Sequence, residues 1–276
     1  MAITAADVNK LRQQTGAGMM DCKNALVEAN GDFEAAIDIL RKKGQKIAAK
    51  RGENEAREGL IIAQASADRT KGVMLVLNCE TDFVARNENY VNFVQSLVDI
   101  ALDKLPATIE ELKALPYDNQ LSVEEKITEQ VGVIGEKLDL SRYALINAPE
   151  VIEYNHPGNQ LATLVGLSKA SAEIEEAGKQ VAMQVAAMAP LALNKEGIDQ
   201  DTINREIEVG KDLAIQEGKP ADMAEKIAMG RLNKFFQENT LLSQPFVRDN
   251  KQSVQDFLSS VEKDLTVTTF ERFSLK

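Results

Sequence analysis

A chain of 276 residues with 44% hydrophobic content has room for about two domains and for a buried core. Its 43 acidic residues outweigh 32 basic ones and leave a net charge of -11, the wrong sign for neutralising phosphates, so direct nucleic-acid binding and attachment to an anionic membrane surface are disfavoured. One histidine, His156, and two cysteines, Cys22 and Cys79, cannot build the usual zinc sets, and there is neither a phosphate-binding glycine loop nor a nucleophile elbow, so no metal, cofactor or catalytic residue is expected and the chain reads as something other than an enzyme.

The amino terminus, Met1-Ala2-Ile3-Thr4, lacks the basic and apolar regions of a signal peptide, and no later apolar run approaches the roughly 20 residues that cross a bilayer. A cytoplasmic location is expected, with both cysteines reduced and buried. Thr4 and Asp7 have the spacing of a capping box, and Ile3, Val8 and Leu11 supply the apolar face of a first helix. Thr15-Gly16-Ala17-Gly18 breaks it. A second helix over about 19–29 stops at Asn30-Gly31, and Asp32 caps a third that carries Phe33, Ala36, Ile37 and Leu40. The polar stretch 45–58 either extends this helix or links onward, and a domain boundary is placed there.

Strands are expected over 60–66 and 73–79, joined by the polar turn Asp68-Arg69-Thr70-Lys71, and then a helix over about 89–102 with Phe93, Val94, Leu97, Ile100 and Ala101 on one face. A short helical connector at 106–116, a helix capped by Ser122 and Glu125 that runs to Gly135, and a strand over 138–148 follow. A second strand-strand-helix unit has strands at 151–155 and 161–167 around His156-Pro157-Gly158-Asn159, and a helix bearing Ile174, Ala177, Val181, Val185 and Met188. Over 201–239 two polar helices joined by Gly218-Lys219-Pro220 read as an antiparallel hairpin packed through Ile203, Ile207, Leu213, Met223, Ile227, Leu232 and Phe235. Such a hairpin buries little alone, so it either meets a partner or pairs with a second copy of itself. The chain returns through Gln244-Pro245-Phe246-Val247, a helix at 254–261 and a strand at 265–273. The fold class is α+β, divided as a helical module at 1–55, core halves at 56–148 and at 149–200 with 240–276, and a hairpin insertion at 201–239.

Few residues invite a functional reading. In Thr81-Asp82-Phe83-Val84, Thr81 is placed to cap the helix and Asp82 to favour its first turn, which sets Phe83 near a loop tip. Most aromatics are buried, however, and local pattern favours Phe83 as a core anchor. Glu80 with Asp82 is a candidate carboxylate pair for acid-base chemistry, although acids at helix starts are usually solvated. Met19 and Met20, beside glycines between two helices, form either an adaptable apolar lip for a partner or part of the core. Tyr154-Asn155-His156-Pro157-Gly158 has ordinary turn chemistry.

The blocks Thr15-Gly16-Ala17-Gly18-Met19-Met20-Asp21-Cys22-Lys23, Asn78-Cys79-Glu80-Thr81-Asp82-Phe83-Val84-Ala85-Arg86, Ile134-Gly135-Glu136, Gly218-Lys219-Pro220 and Gln244-Pro245-Phe246-Val247 stand in order across almost the whole chain, which closely resembles the elongation factor Ts family of bacterial translation. That resemblance implies a ubiquitin-associated-like helical module, a core of two related subdomains and an inserted helical hairpin. It implies a guanine-nucleotide exchange factor whose partner is the GTPase elongation factor Tu. Thr81, Asp82, Phe83 and Val84 would intrude beside the nucleotide and dislodge its Mg²⁺. Met19, Met20, Lys23, Ile134, Gly135, His156 and Val247 match further partner-contacting positions. The second hairpin lacks the basic residue associated with the family there, and the helix that some members carry after the final strand has no counterpart. A non-catalytic adaptor that grips partners through the helical module is the alternative.

Overall fold

The computed structural model describes residues 3–275, so Met1 and Ala2, on which the amino-terminal reading partly rests, and Lys276 lie outside the described residues. Three helices open the chain: α1 (Ala5–Thr15), α2 (Met19–Glu28) and α3 (Phe33–Arg51). The capping box forms as the spacing predicts, with the Asp7 N–H donating to Thr4 Oγ1 at 3.2 Å and the Thr4 N–H donating to Asp7 Oδ2 at 2.9 Å. Helix α1 stops at Gly16, whose φ of 70° is a conformation that glycine adopts without a Cβ penalty. Asp32 caps α3 by accepting the Ala35 N–H at 3.1 Å. Val8, Leu11, Cys22, Leu26 and Ala36 are the core of this trio, and Phe33, Ile37 and Leu40 pack on its edge. The polar stretch after residue 45 is helical as far as Arg51, where Lys50 and Arg51 complement the negative end of the helix dipole.

The described residues fold as two compact units. One comprises residues 3–62, Leu75–Ala144 and Leu275; the other comprises Ala63–Met74 and Leu145–Ser274. Strands β1 (Glu58–Ala65), β2 (Lys71–Cys79) and β3 (Asp139–Asn147) make a sheet in that order. In the first unit a single-turn helix α4 (Asp82–Ala85) precedes α5 (Glu88–Lys104), and α6 (Ile109–Ala114) and α7 (Val123–Ile134) follow. Tyr90, Phe93, Val94, Leu97, Val98 and Ala101 line the buried stripe of α5, the 3.6-residue period read in the sequence, whereas Ile100 is only half-buried. Helix α7 begins with a second capping box, Ser122 with Glu125. It crosses α3 where Gly132 meets Gly44 so closely that a Cβ on Gly132 would lie 2.5 Å from Gly44 Cα.

In the second unit β4 (Glu150–Asn155), β5 (Leu161–Leu167) and β8 (Val267–Ser274) form an antiparallel sheet in the order β4-β5-β8, with Glu150 opposite Leu167 and Leu161 opposite Ser274. Helix α8 (Ala172–Met188) packs on it through Ile174, Ala177, Val181 and Val185. Met188, expected on the same stripe, is exposed, because the chain turns into a left-handed residue at Ala189.

The expected hairpin is α9 (Gln200–Gln216) with α10 (Ala221–Asn239), but its seam differs from the one read in the sequence. Gly210, Ala214, Ala224, Ala228 and Leu232 are buried, while Leu213 and Met223 face outward. Small side chains let the backbones approach, a Cβ on Gly210 lying 3.1 Å from Ala228 Cα, and this rotates the larger residues off the seam. A hairpin of β6 (Pro245–Phe246) and β7 (Asp249–Ser253) was not expected, since Asp249-Asn250-Lys251-Gln252-Ser253 shows no apolar alternation. It leads into α11 (Val254–Val261).

Candidate functional site

The Thr81–Val84 turn is a separate element rather than the start of the long helix. Thr81 Oγ1 accepts the Val84 N–H at 3.4 Å and caps α4, which stops after one turn at Arg86, and Asn87 then caps α5 by accepting the Asn89 N–H at 2.9 Å. Within α4 only Ala85 is buried. Phe83 is 84% exposed, which overturns the core-anchor reading that local pattern favoured. The physical reason is the break at residue 86: a helix running through from Thr81 would carry a regular apolar stripe, whereas a single turn turns Ala85 inward and Phe83 outward. Beside it lies a cleft of about 510 Å³, lined by Thr81, Phe83, Val84, Tyr90, Ile134 and Glu136 among others.

The root of this turn is strongly fixed. The Glu80 and Thr81 N–H groups donate to Glu136 Oε2 at 3.1 and 3.0 Å, and the Thr81 hydroxyl donates to Glu136 Oε1 at 2.7 Å. In the opposite sense, Glu80 Oε1 accepts the Lys137 N–H at 2.6 Å, and its carboxylate takes two bonds from Arg51 Nη1, at 2.9 and 2.8 Å, and one from Asn54 at 3.0 Å. Burial pushes the Glu80 carboxyl upward, but the Lys137 N–H, Arg51 and Asn54 together hold it below the ordinary glutamate range. Glu80 and Asp82 therefore do not form a shared proton site: Glu80 is held by Arg51, and Asp82 pairs with Arg86 at 3.0 Å. Cys79 is fully buried beneath the turn and its thiol donates to the Thr81 carbonyl at 3.2 Å. Burial pushes that thiol up to about 11.

A pH dependence follows from Glu80. Its folded carboxyl is depressed, so the stability it contributes is present above the unfolded glutamate value and is lost as pH falls through the folded one. Glu80→Gln should cost about 1 kcal/mol at neutral pH, and its gap from the unsubstituted chain in urea unfolding should close below the ordinary glutamate range. A gap that stays constant into acid would show that Glu80 contributes through packing alone.

The remaining candidates divide between the two units. In the first, Met19 and Met20 at the start of α2 are 58% and 63% exposed, so the core reading of this pair is overturned, and Lys23 is exposed one turn on. The glycine cap at residue 18 starts α2 without a side chain to cover them. Ile134 and Gly135 are half-buried at the end of α7, with Ile134 in the Phe83 cleft. Gly135 has a φ of 83°, and this left-handed cap turns the chain from α7 into Glu136.

In the second unit His156 and Val247 line one cavity of about 440 Å³ with Tyr154, Met183, Gln184 and Phe246. His156 is exposed in the β4–β5 turn, as its turn chemistry predicts, and its Nδ1 lies 2.8 Å from the Tyr154 hydroxyl. Val247 is 57% exposed, and its N–H donates to the buried Gln184 Oε1 at 2.9 Å. Gln184 Nε2 donates in turn to Gln244 Oε1 at 3.1 Å and to the Pro245 carbonyl at 3.2 Å. Phe246 stacks on Phe257 with ring centroids 4.1 Å apart.

Sequence reasoning did not assign roles to Glu136, Arg51 or Gln184. Their partners are 55, 29 and 63 residues away, beyond any local spacing rule. Among the described residues no group of His, Cys, Asp and Glu is placed to hold a metal ion, and no helix is long and apolar enough to cross a membrane.

Helices with small antiparallel sheets define an α+β protein, and in its first unit the Met19, Met20 and Phe83 side chains stand exposed to solvent. A family model described as Elongation factor TS matches residues 80–276. The chain is 54% identical over 273 residues to an elongation factor Ts of Christiangramia forsetii, covering 99% of this chain and 98% of that protein. It is 51% identical to one of Amoebophilus asiaticus, with the same coverage, and 45% identical to one of Porphyromonas gingivalis over 100% of this chain and 99% of that protein. The chain belongs to the elongation factor Ts family, a family of translation elongation factors.

Proposed function

We propose that the chain is a cytoplasmic guanine-nucleotide exchange factor that binds elongation factor Tu in its GDP form and speeds release of the nucleotide without covalent chemistry of its own. The observation that carries this reading is Phe83, 84% exposed on a turn whose root is held by seven hydrogen bonds to Glu136 and Glu80 from within the unit, counting three to Glu136, one from Lys137, two from Arg51 and one from Asn54. An aromatic ring held in water is a cost with no structural return, and it is recovered when a partner covers it.

In this reading Thr81, Asp82, Phe83 and Val84 enter beside the nucleotide site and displace the elements that support Mg²⁺ and the phosphates. Met19, Met20 and Lys23 grip the GTPase domain. Ile134 and Gly135 add contacts beside the turn, and His156 and Val247 supply a further contact from the second unit. Residues 1–55 serve as a ubiquitin-associated-like docking module, 56–148 and 149–200 with 240–276 as two related core halves, and 201–239 as the inserted hairpin.

Magnitudes limit what one side chain can do. Weakening GDP a thousandfold needs about 4 kcal/mol, whereas burying one Phe yields roughly 1.5 to 3 kcal/mol. The other contacts must therefore favour the nucleotide-free partner, and by linkage a returning nucleotide weakens the grip of the factor by the same factor. The test is release of a fluorescent GDP analogue from elongation factor Tu, with and without this chain. Unchanged release at saturating factor would refute the exchange reading.

A further inference from the structure

We propose that Glu136 is a positioning residue for Phe83, setting the root of the α4 turn so that the ring stands ready for the partner, an inference that rests on the exchange reading above. One carboxylate accepts both N–H groups at the root, from Glu80 and Thr81, and the Thr81 hydroxyl as well. Bonds to an ionised acceptor are the strong ones, and three converging on one group fix direction as well as distance.

The Thr81 hydroxyl is the link to Phe83. It donates to Glu136 while accepting the Val84 N–H that caps α4, so the same oxygen joins the clasp to the turn. Helix α4 has only four residues, too few to repay the cost of nucleating a helix by itself, and it therefore relies on its cap and root for shape. Phe83 sits in its middle, 84% exposed.

The clasp is reciprocal, since Lys137, next to Glu136, gives its N–H to Glu80. Glu80 is also gripped by Arg51, at the end of α3, and Lys137 Nζ donates to the Gly52 and Asn54 carbonyls at 2.8 and 3.0 Å. The left-handed cap at Gly135 aims Glu136, and the Gly44–Gly132 crossing ties α7 to α3. The turn is thereby registered, within one unit, to the helical trio that carries Met19 and Met20. Phe83 enters at a set distance from the lip that docks.

The experiment compares the full chain with Glu136→Ala and Glu136→Gln in GDP-analogue release over a range of factor concentrations, together with amide hydrogen exchange and thermal unfolding of each. Glu136→Ala should lower the maximal release rate about tenfold, the size of one charge-assisted hydrogen bond, and shift the half-saturating concentration less than about threefold, because the docking lip is untouched. Glu136→Gln should recover most of the rate: its amide oxygen accepts the two N–H groups and its NH2 donates to Thr81 Oγ1, which keeps a lone pair for Val84. In the alanine variant the Glu80 and Thr81 amides should lose protection while those of α5 keep theirs.

A maximal rate within twofold of the unsubstituted chain overturns the proposal. So does a loss confined to half-saturation, which would make Glu136 a docking contact, and so does Glu136→Gln as slow as Glu136→Ala, which would make its charge act on the partner. If the unsubstituted chain does not accelerate release, the exchange reading falls, and the clasp is then judged on amide protection alone: unchanged protection at residues 80 and 81 in the alanine variant overturns it as well.

Discussion

Phe83→Ala should lower the maximal acceleration of GDP release by one to two orders of magnitude and leave the thermal unfolding of the chain almost unchanged. The kinetic size follows from the roughly 1.5 to 3 kcal/mol gained when a phenylalanine side chain leaves water, converted at about 1.4 kcal/mol per factor of ten. The small thermal effect follows from exposure: at 84% exposed, the ring has little packing to lose in the folded chain. The two readouts therefore separate a wedge from a core anchor. A variant that unfolds several degrees earlier and loses activity only in proportion would return Phe83 to the structural role that local pattern favours. Half-saturation should rise less than the maximal rate falls, since the methionine lip is elsewhere on the chain, at residues 19 and 20.

Gly132→Ala should destabilise the chain by about 2 kcal/mol in urea unfolding, the cost of overpacking less the helix preference of alanine. The new Cβ would stand 2.5 Å from the Gly44 Cα and 3.3 Å from its nitrogen, backbone atoms that cannot swing aside as a long side chain would. The crossing is asymmetric. A Cβ on Gly44 finds its nearest atoms, Gly132 Cα and the Thr128 carbonyl, at 3.5 Å, which is ordinary contact. Gly44→Ala should be neutral or stabilising by up to about 1 kcal/mol, because alanine is the better helix former. Equal losses in the two variants would show that the crossing tolerates neither Cβ and that its geometry differs from the one described.

What could be read in advance from the chain is what depends on neighbours a few residues apart. Thr4 with Asp7, Asp32 before Phe33, and Ser122 with Glu125 all cap the helices they predict, because a cap is a bond across three positions. The stripes of α5 and α8 follow from period alone, apart from Ile100 and Met188. The hairpin was legible as two helices but not in its seam. Periodicity weights large apolar residues, whereas here Gly210 and Ala228 meet and send Leu213 and Met223 outward. The candidate site shows the same division. Thr81 as a cap was legible, but the stop at Arg86 that exposes Phe83 and the clasp from Glu136 were not, since the first depends on Asn87 starting a new helix and the second on a residue 55 positions away. The blocks that resemble the elongation factor Ts family carried information of a different kind, pointing to Phe83 as a contact where local physics pointed inward.

The thiol of Cys79 lies directly beneath this turn, sealed from water and with its proton held by the Thr81 carbonyl. At a value of about 11, only about one molecule in ten thousand carries a thiolate at pH 7. Peroxides and alkylating agents attack the thiolate, so the base of the Phe83 turn is chemically quiet while the chain is folded. Oxidative stress that disables proteins with reactive surface cysteines would leave this part of the molecule unmodified.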